Sequence, residues 1–107
     1  MSTAPKSEIL KVAAMVEYQG GAVVSRQITK SEGGNVTLFA FDQGQELSEH
    51  TAPYDALLHV LDGEAEITIS GKPFLLRTGE AIIMPANESH AVKAFQQFKM
   101  LLTMIKT

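Results

Sequence analysis

Asp62-Gly63-Glu64-Ala65-Glu66-Ile67-Thr68-Ile69-Ser70-Gly71 is the stretch on which the reading of this chain turns. Ala65, Ile67 and Ile69 alternate with Glu64, Glu66 and Thr68, the period of a strand with one dry and one wet face. Asp62-Gly63 and Ser70-Gly71 punctuate it at both ends as turns. Working outward, the same grammar recurs. Upstream lie Ala22–Thr29, then the turn Ser31-Glu32-Gly33-Gly34, then Val36–Phe41 closed by Asp42-Gln43-Gly44, then Leu57–Leu61. Downstream lie Phe74-Leu75-Leu76, the turn Thr78-Gly79, Ala81–Met84 stopped by Pro85, and Phe98–Ile105. The last run is almost wholly apolar and predicts a strand buried on both faces. Short strands at this spacing predict an all-β protein whose sheet closes on itself or doubles, as in a jelly roll. Residues 7–19 read either way, as a helical stripe through Ile9, Val12, Ala13 and Val16 or as a short strand from Ile9-Leu10.

Composition excludes more than it identifies. A chain of 107 residues predicts one domain, 1–107, with its core over about residues 20–106 and residues 1–6 polar and frayed. Hydrophobic residues at 45% and charged residues at 20% fit a folded globule rather than a disordered chain. Nine Lys and Arg against twelve Asp and Glu give a net charge of −3, which argues against nucleic acid as a partner. There is no cysteine, so thiol nucleophiles, disulfides and thiolate metal sites are excluded. No apolar run is long enough to span a membrane, no leader is evident, and a cytoplasmic setting is the expectation.

The three histidines, His50, His59 and His90, are the main chemical resource. Phosphate-binding, zinc-protease and serine-nucleophile motifs are missing. Tyr54, Asp55, Glu46 and Glu49 are secondary candidates. Asp55 after Pro53 reads as a turn residue bonding to nearby backbone. His59 has the opposite parity to Ala56 and is expected on the outer face. Met84, Met100 and Met104 read as core filler, and Glu64 and Glu66 as a solvated face.

Gly44, His50 and Gly63, followed by Gly79, Pro85 and His90, are spaced as in two motifs of the cupin family, Gly-x5-His-x-His-x3,4-Glu-x6-Gly and Gly-x5-Pro-x-Gly-x2-His-x3-Asn. The chain resembles a small, single-domain cupin of the conserved-barrel, RmlC-like type, over about residues 34–105. That resemblance implies a double-stranded β-helix, a jelly-roll barrel. It departs from the family at Ala52 and Ala56, where the second His and the Glu would stand, at Asn87 for Gly, and at Ala94 for Asn. Asn tolerates positive φ better than other non-glycine residues, so the turn after Pro85 is expected to survive.

In metal-binding cupins those motif positions hold a divalent metal. Here the resemblance leaves His50 and His90 as metal ligands, with Zn, Fe, Ni or Mn as the candidate ions. Two imidazoles without a third protein donor bind such ions weakly. Asp55 is one residue out of register for the missing Glu. The expected site is therefore a ligand pocket of His50, Ala52, Ala56 and His90, taking a small, partly apolar molecule. The alternative is a metal-dependent enzyme of dioxygenase, isomerase or decarboxylase type built on His50 and His90. A homodimer is expected, with the apolar segment Ile9–Val16 packing on a partner.

Overall fold

The computed structural model describes residues 3–106. Eight strands are formed among them: β1 Val23–Ser31, β2 Gly34–Phe41, β3 Glu46–His50, β4 Asp55–Ile69, β5 Lys72–Arg77, β6 Ala81–Met84, β7 His90–Lys93 and β8 Phe98–Ile105. All pairings are antiparallel. One sheet runs β1-β2-β8-β4-β6 and the other β3-β7-β4-β5. The chain is nearly all β, a curled antiparallel sheet of jelly-roll type.

β4 joins the two sheets. Its first half pairs with β6 and β8, its second half with β5 and β7. Asp62-Gly63 is therefore not the turn expected from the sequence but a bend inside one fifteen-residue strand. Gly63 sits at φ 79°, and the pairing with β8 slips between Val60 and Asp62. A bulge of this kind adds one residue to one strand and flips the side-chain parity. Ala56, Leu58 and Val60 point inward before it, and Ala65, Ile67 and Ile69 after it. One strand thus buries a face in both sheets.

The interior between the sheets holds Phe41, Leu58, Val60, Ile67, Phe98 and Met100, each at most 1% exposed. Phe41 and Phe98 are cross-strand partners, and their rings stack at 4.5 Å. Met84 and Met100 are buried in the same cluster and Met104 packs against it, as expected of core filler.

A second cluster lies on the other side of the first sheet. On β2, Leu38 and Ala40 belong to this outer cluster, while Phe39 and Phe41 belong to the inner one. Ala4, Val16, Leu10, Val12 and Met15 cover Leu38, Ala40 and Leu101 from outside. β8 lies between β2 and β4 and contributes to both clusters, which fits its apolar sequence.

The covering segment is irregular apart from a single 3-10 turn, Val12–Ala14. Neither the long helical stripe nor a strand forms over residues 7–19. Within the segment Ile9–Val16, Val16 is 3% exposed and Leu10, Val12 and Met15 pack on the chain's own sheet, while Ile9, at 95%, Ala13 and Ala14 are exposed. Residues 1–6 were expected to fray, but Ala4 is buried and its N–H donates to the Ile28 carbonyl at 2.8 Å. Met1 and Ser2 lie outside the described residues. No helix among the described residues is long and apolar enough to cross a membrane.

Candidate functional site

β3 and β7 carry the two site histidines and pair with each other. His50 and His90 face each other across that pairing, beside a slip in register between Leu47 and His50. Their Nε2 atoms are 3.1 Å apart, and the rings meet edge to face at 72°. His50 is exposed, whereas His90 is 6% exposed. On its other side His90 pairs with Ile69 of β4.

The proton positions follow from the partners. His50 Nδ1 lies 2.8 Å from the Ser48 carbonyl oxygen, which can only accept. Nδ1 of His50 therefore carries a hydrogen, and in the neutral ring its Nε2 is a lone pair. The short Nε2–Nε2 contact then requires His90 to donate from Nε2. That leaves His90 Nδ1 as the bare nitrogen, and it is buried without a hydrogen-bond partner. Burial, and secondarily the neighbouring His50, hold the His90 pKa below the ordinary 6.5. A backbone contact with Glu88 opposes this.

The turn that leads into His90 is tied down from the β4 side. The Ala86 N–H donates to Asp55 Oδ1 at 2.8 Å, and the Asn87 N–H donates to the Ala52 carbonyl at 2.7 Å. Ser70 Oγ donates to Glu88 Oε1 at 2.8 Å, and the Ser70 N–H donates to the Ser89 carbonyl. Asn87 adopts φ 67°, so asparagine serves where the motif has glycine. Asp55 bonds to backbone, as its turn reading predicts, but the partner is thirty-one residues away rather than local.

The structure brings His50 and His90 into direct contact and links the loop of Ala52 to the turn of Asn87. Ala56 is a core residue, 4% exposed, flanked in the sheet by Met84 and Met104. His59 pairs with Leu101 and Ala81 with its side chain on the opposite face from Ala56 and Leu58. Glu64 and Glu66 lie on the outer face, Glu64 bridged to Arg77 at 3.2 Å.

The pair must also be tested against the metal that the fold family implies. The pair offers two imidazole nitrogens, 3.1 Å apart. Among the described residues no group of three or more His, Asp or Glu side chains converges as a metal site. A catalytic zinc centre has three protein ligands. The donors present do not fit a resident metal.

Sequence reasoning missed a second polar cluster. Tyr18 Oη donates to Asp62 Oδ2 at 2.5 Å, and Lys99 Nζ lies 5.1 Å above the Tyr18 ring while donating to the Ala13 carbonyl. Burial first, then the hydrogen bond to Asp62 and its charge, push the Tyr18 phenol far above its ordinary range. This cluster fastens the covering segment to the bend of β4. Lys99 and Asp62 are cross-strand neighbours, but Tyr18 lies forty-four residues from Asp62, and no spacing rule joins them.

The Cupin domain family model matches residues 37–105, and the chain belongs to the cupin family. It is similar, at 33% identity and TM-score 0.91, to a conserved protein of unknown function from Streptococcus pyogenes, covering 100% of this chain and 96% of that one. It is similar, at 42% identity and TM-score 0.88, to a cupin 2 conserved barrel domain protein from Leptotrichia buccalis over 91% of this chain, which spans 47% of that longer protein. A cupin superfamily protein from Desulfitobacterium hafniense is 28% identical with TM-score 0.91, covering 99% and 97%. No curated protein matches the chain.

Proposed function

We propose that this cupin binds a small molecule at the His50–His90 pair and holds divalent metal at most weakly. One observation supports the reading above others: two facing imidazoles are bonded to each other, with alanine at the two remaining ligand positions of the motif. Such a pair offers polar contacts to an organic ligand. It offers Zn²⁺, Fe²⁺, Ni²⁺ or Mn²⁺ only part of a coordination shell. We further propose that it works as a homodimer in the cytoplasm, where a cysteine-free small domain needs no disulfides.

The test is elemental analysis and native mass spectrometry of purified protein, with His50→Ala and His90→Ala as controls. The expected result is substoichiometric transition metal that is unchanged in both variants, together with a bound organic molecule lost in both. Near-stoichiometric metal that disappears in both variants would overturn the reading and favour the metal-dependent enzyme. A protein carrying neither metal nor organic ligand would favour a structural module.

A further inference from the structure

The proton arrangement at the pair says which ligands it can accept, and this inference rests on the binding reading above. His50 Nε2 is an acceptor because its Nδ1–H is engaged by the Ser48 carbonyl. His90 Nε2 is a donor because it meets that acceptor at 3.1 Å. His90 Nδ1 is buried without a hydrogen-bond partner, which favours the hydrogen on Nε2. His50 is exposed and sits beside the slip in the β3–β7 pairing, so the pair is open to solvent on that side. A ligand that replaces the contact between the two rings meets one acceptor and one donor side by side.

We propose that the site selects an uncharged group with adjacent hydrogen-bond donor and acceptor, such as a primary carboxamide or a lactam, over a carboxylate. The carboxamide oxygen accepts from His90 Nε2–H, and its N–H donates to His50 Nε2. A carboxylate has acceptors only. It satisfies His90 but sets a second lone pair against His50 Nε2, leaving that nitrogen unpaired. A site built on one donor and one acceptor discriminates strongly against a ligand lacking the matching partner. Ile69, the cross-strand neighbour of His90, supplies an apolar flank for the rest of the molecule.

The experiment uses the whole chain, ¹⁵N-labelled, at about pH 8, where an imidazole of ordinary basicity is neutral. Long-range ¹H–¹⁵N correlation reads the tautomers directly, with hydrogen expected on Nδ1 of His50 and on Nε2 of His90. Benzamide and benzoate are then titrated while the two ring signals are followed. Benzamide is expected to shift both rings and to bind at least about tenfold more tightly than benzoate, the size of one lost hydrogen bond. His50→Ala, at an exposed position, is expected to abolish that preference. Hydrogen on Nε2 of His50, or benzoate binding as tightly as benzamide, would overturn the selectivity and leave the binding reading standing. Correct tautomers with no response to either probe would also overturn the selectivity. The binding reading is judged separately, by the ligand and metal content of the purified protein.

Discussion

His50 and His90 stand with their Nε2 atoms 3.1 Å apart across the β3–β7 pairing, joined by one hydrogen whose position the Ser48 carbonyl dictates. The contact spends the polar capacity of the exposed ring on the buried one. It also leaves the buried ring with a bare Nδ1 that has no partner. An unsatisfied buried nitrogen costs about 1–3 kcal/mol, so the pair is a place where the fold gives up stability at a polar site.

The depressed basicity of His90 makes stability depend on pH. Its folded-state pKa lies below the ordinary 6.5, chiefly because burial disfavours the charged ring. Between the folded and unfolded values the unfolded chain binds more protons, so stability rises with pH. The contribution of neutral His90 is present above the unfolded pKa and is lost as pH falls from there through the folded pKa. Urea midpoints measured at about pH 7.5 and about pH 5 should therefore fall further for the wild type than for His90→Gln. Equal losses in the two proteins would refute this account.

Asp55 acts on the His90 turn through Ala86. Its carboxylate accepts the Ala86 N–H at 2.8 Å, next to the Asn87 bond to the Ala52 carbonyl. Asp55→Ala is expected to cost about 1 kcal/mol, at the low end for a charged hydrogen bond because the residue is exposed. Amide exchange at Ala86 and Asn87 should accelerate more than at β8 sites. Unchanged exchange at those two amides would show that the turn holds without Asp55.

Much of the barrel is legible in the chain, and the exceptions share a cause. β2, β5, β6 and β8 announce themselves because each carries a dense apolar run, part of it buried against the sheet. β3 and β7 do not: Glu46–His50 is exposed at most positions, and His90–Lys93 is only four residues long. The strands that carry the site are thus invisible as strands in the sequence, and motif spacing is what marks their histidines. Asp62-Gly63 has the form of a hairpin turn, since glycine supplies positive φ there. The structure uses the same φ for a bulge, and local sequence does not separate the two. The contact between His50 and His90 and the bond from Asp55 to Ala86 span forty and thirty-one residues, beyond any periodicity.

The first sheet leaves part of its outer face uncovered. Residues 4–18 mask Leu38 and Ala40, whereas Leu57, Ile83 and Ile105 are 37%, 61% and 53% exposed. Leu57 and Ile83 are cross-strand partners, and β6 has β4 on one side only. A second copy of the chain is the expected occupant, burying about 1,000 Å² or more in total. Light scattering at micromolar concentration should give a dimer, and Ile83→Lys should shift it toward monomer. A monomeric wild type under those conditions would remove the prediction.

Two glycines of similar backbone angle separate strain from packing. Gly63 and Gly71 lie at φ 79° and 82°. A Cβ on Gly71 meets nothing within 4 Å, so Gly71→Ala should cost only the left-handed conformation, about 1–2 kcal/mol. A Cβ on Gly63 collides with the Gln97 carbonyl oxygen, a backbone atom, and crowds Phe98, its partner in the β4–β8 pairing, at 3.1 Å. Gly63→Ala should therefore add a forced backbone shift to the same strain and cost more than about 3 kcal/mol, in the range reserved for core disruption. Chemical denaturation of the two variants reads the difference. Comparable midpoints would mean that the bend at Gly63 yields easily, and the continuous strand that joins the two sheets would then not depend on glycine there.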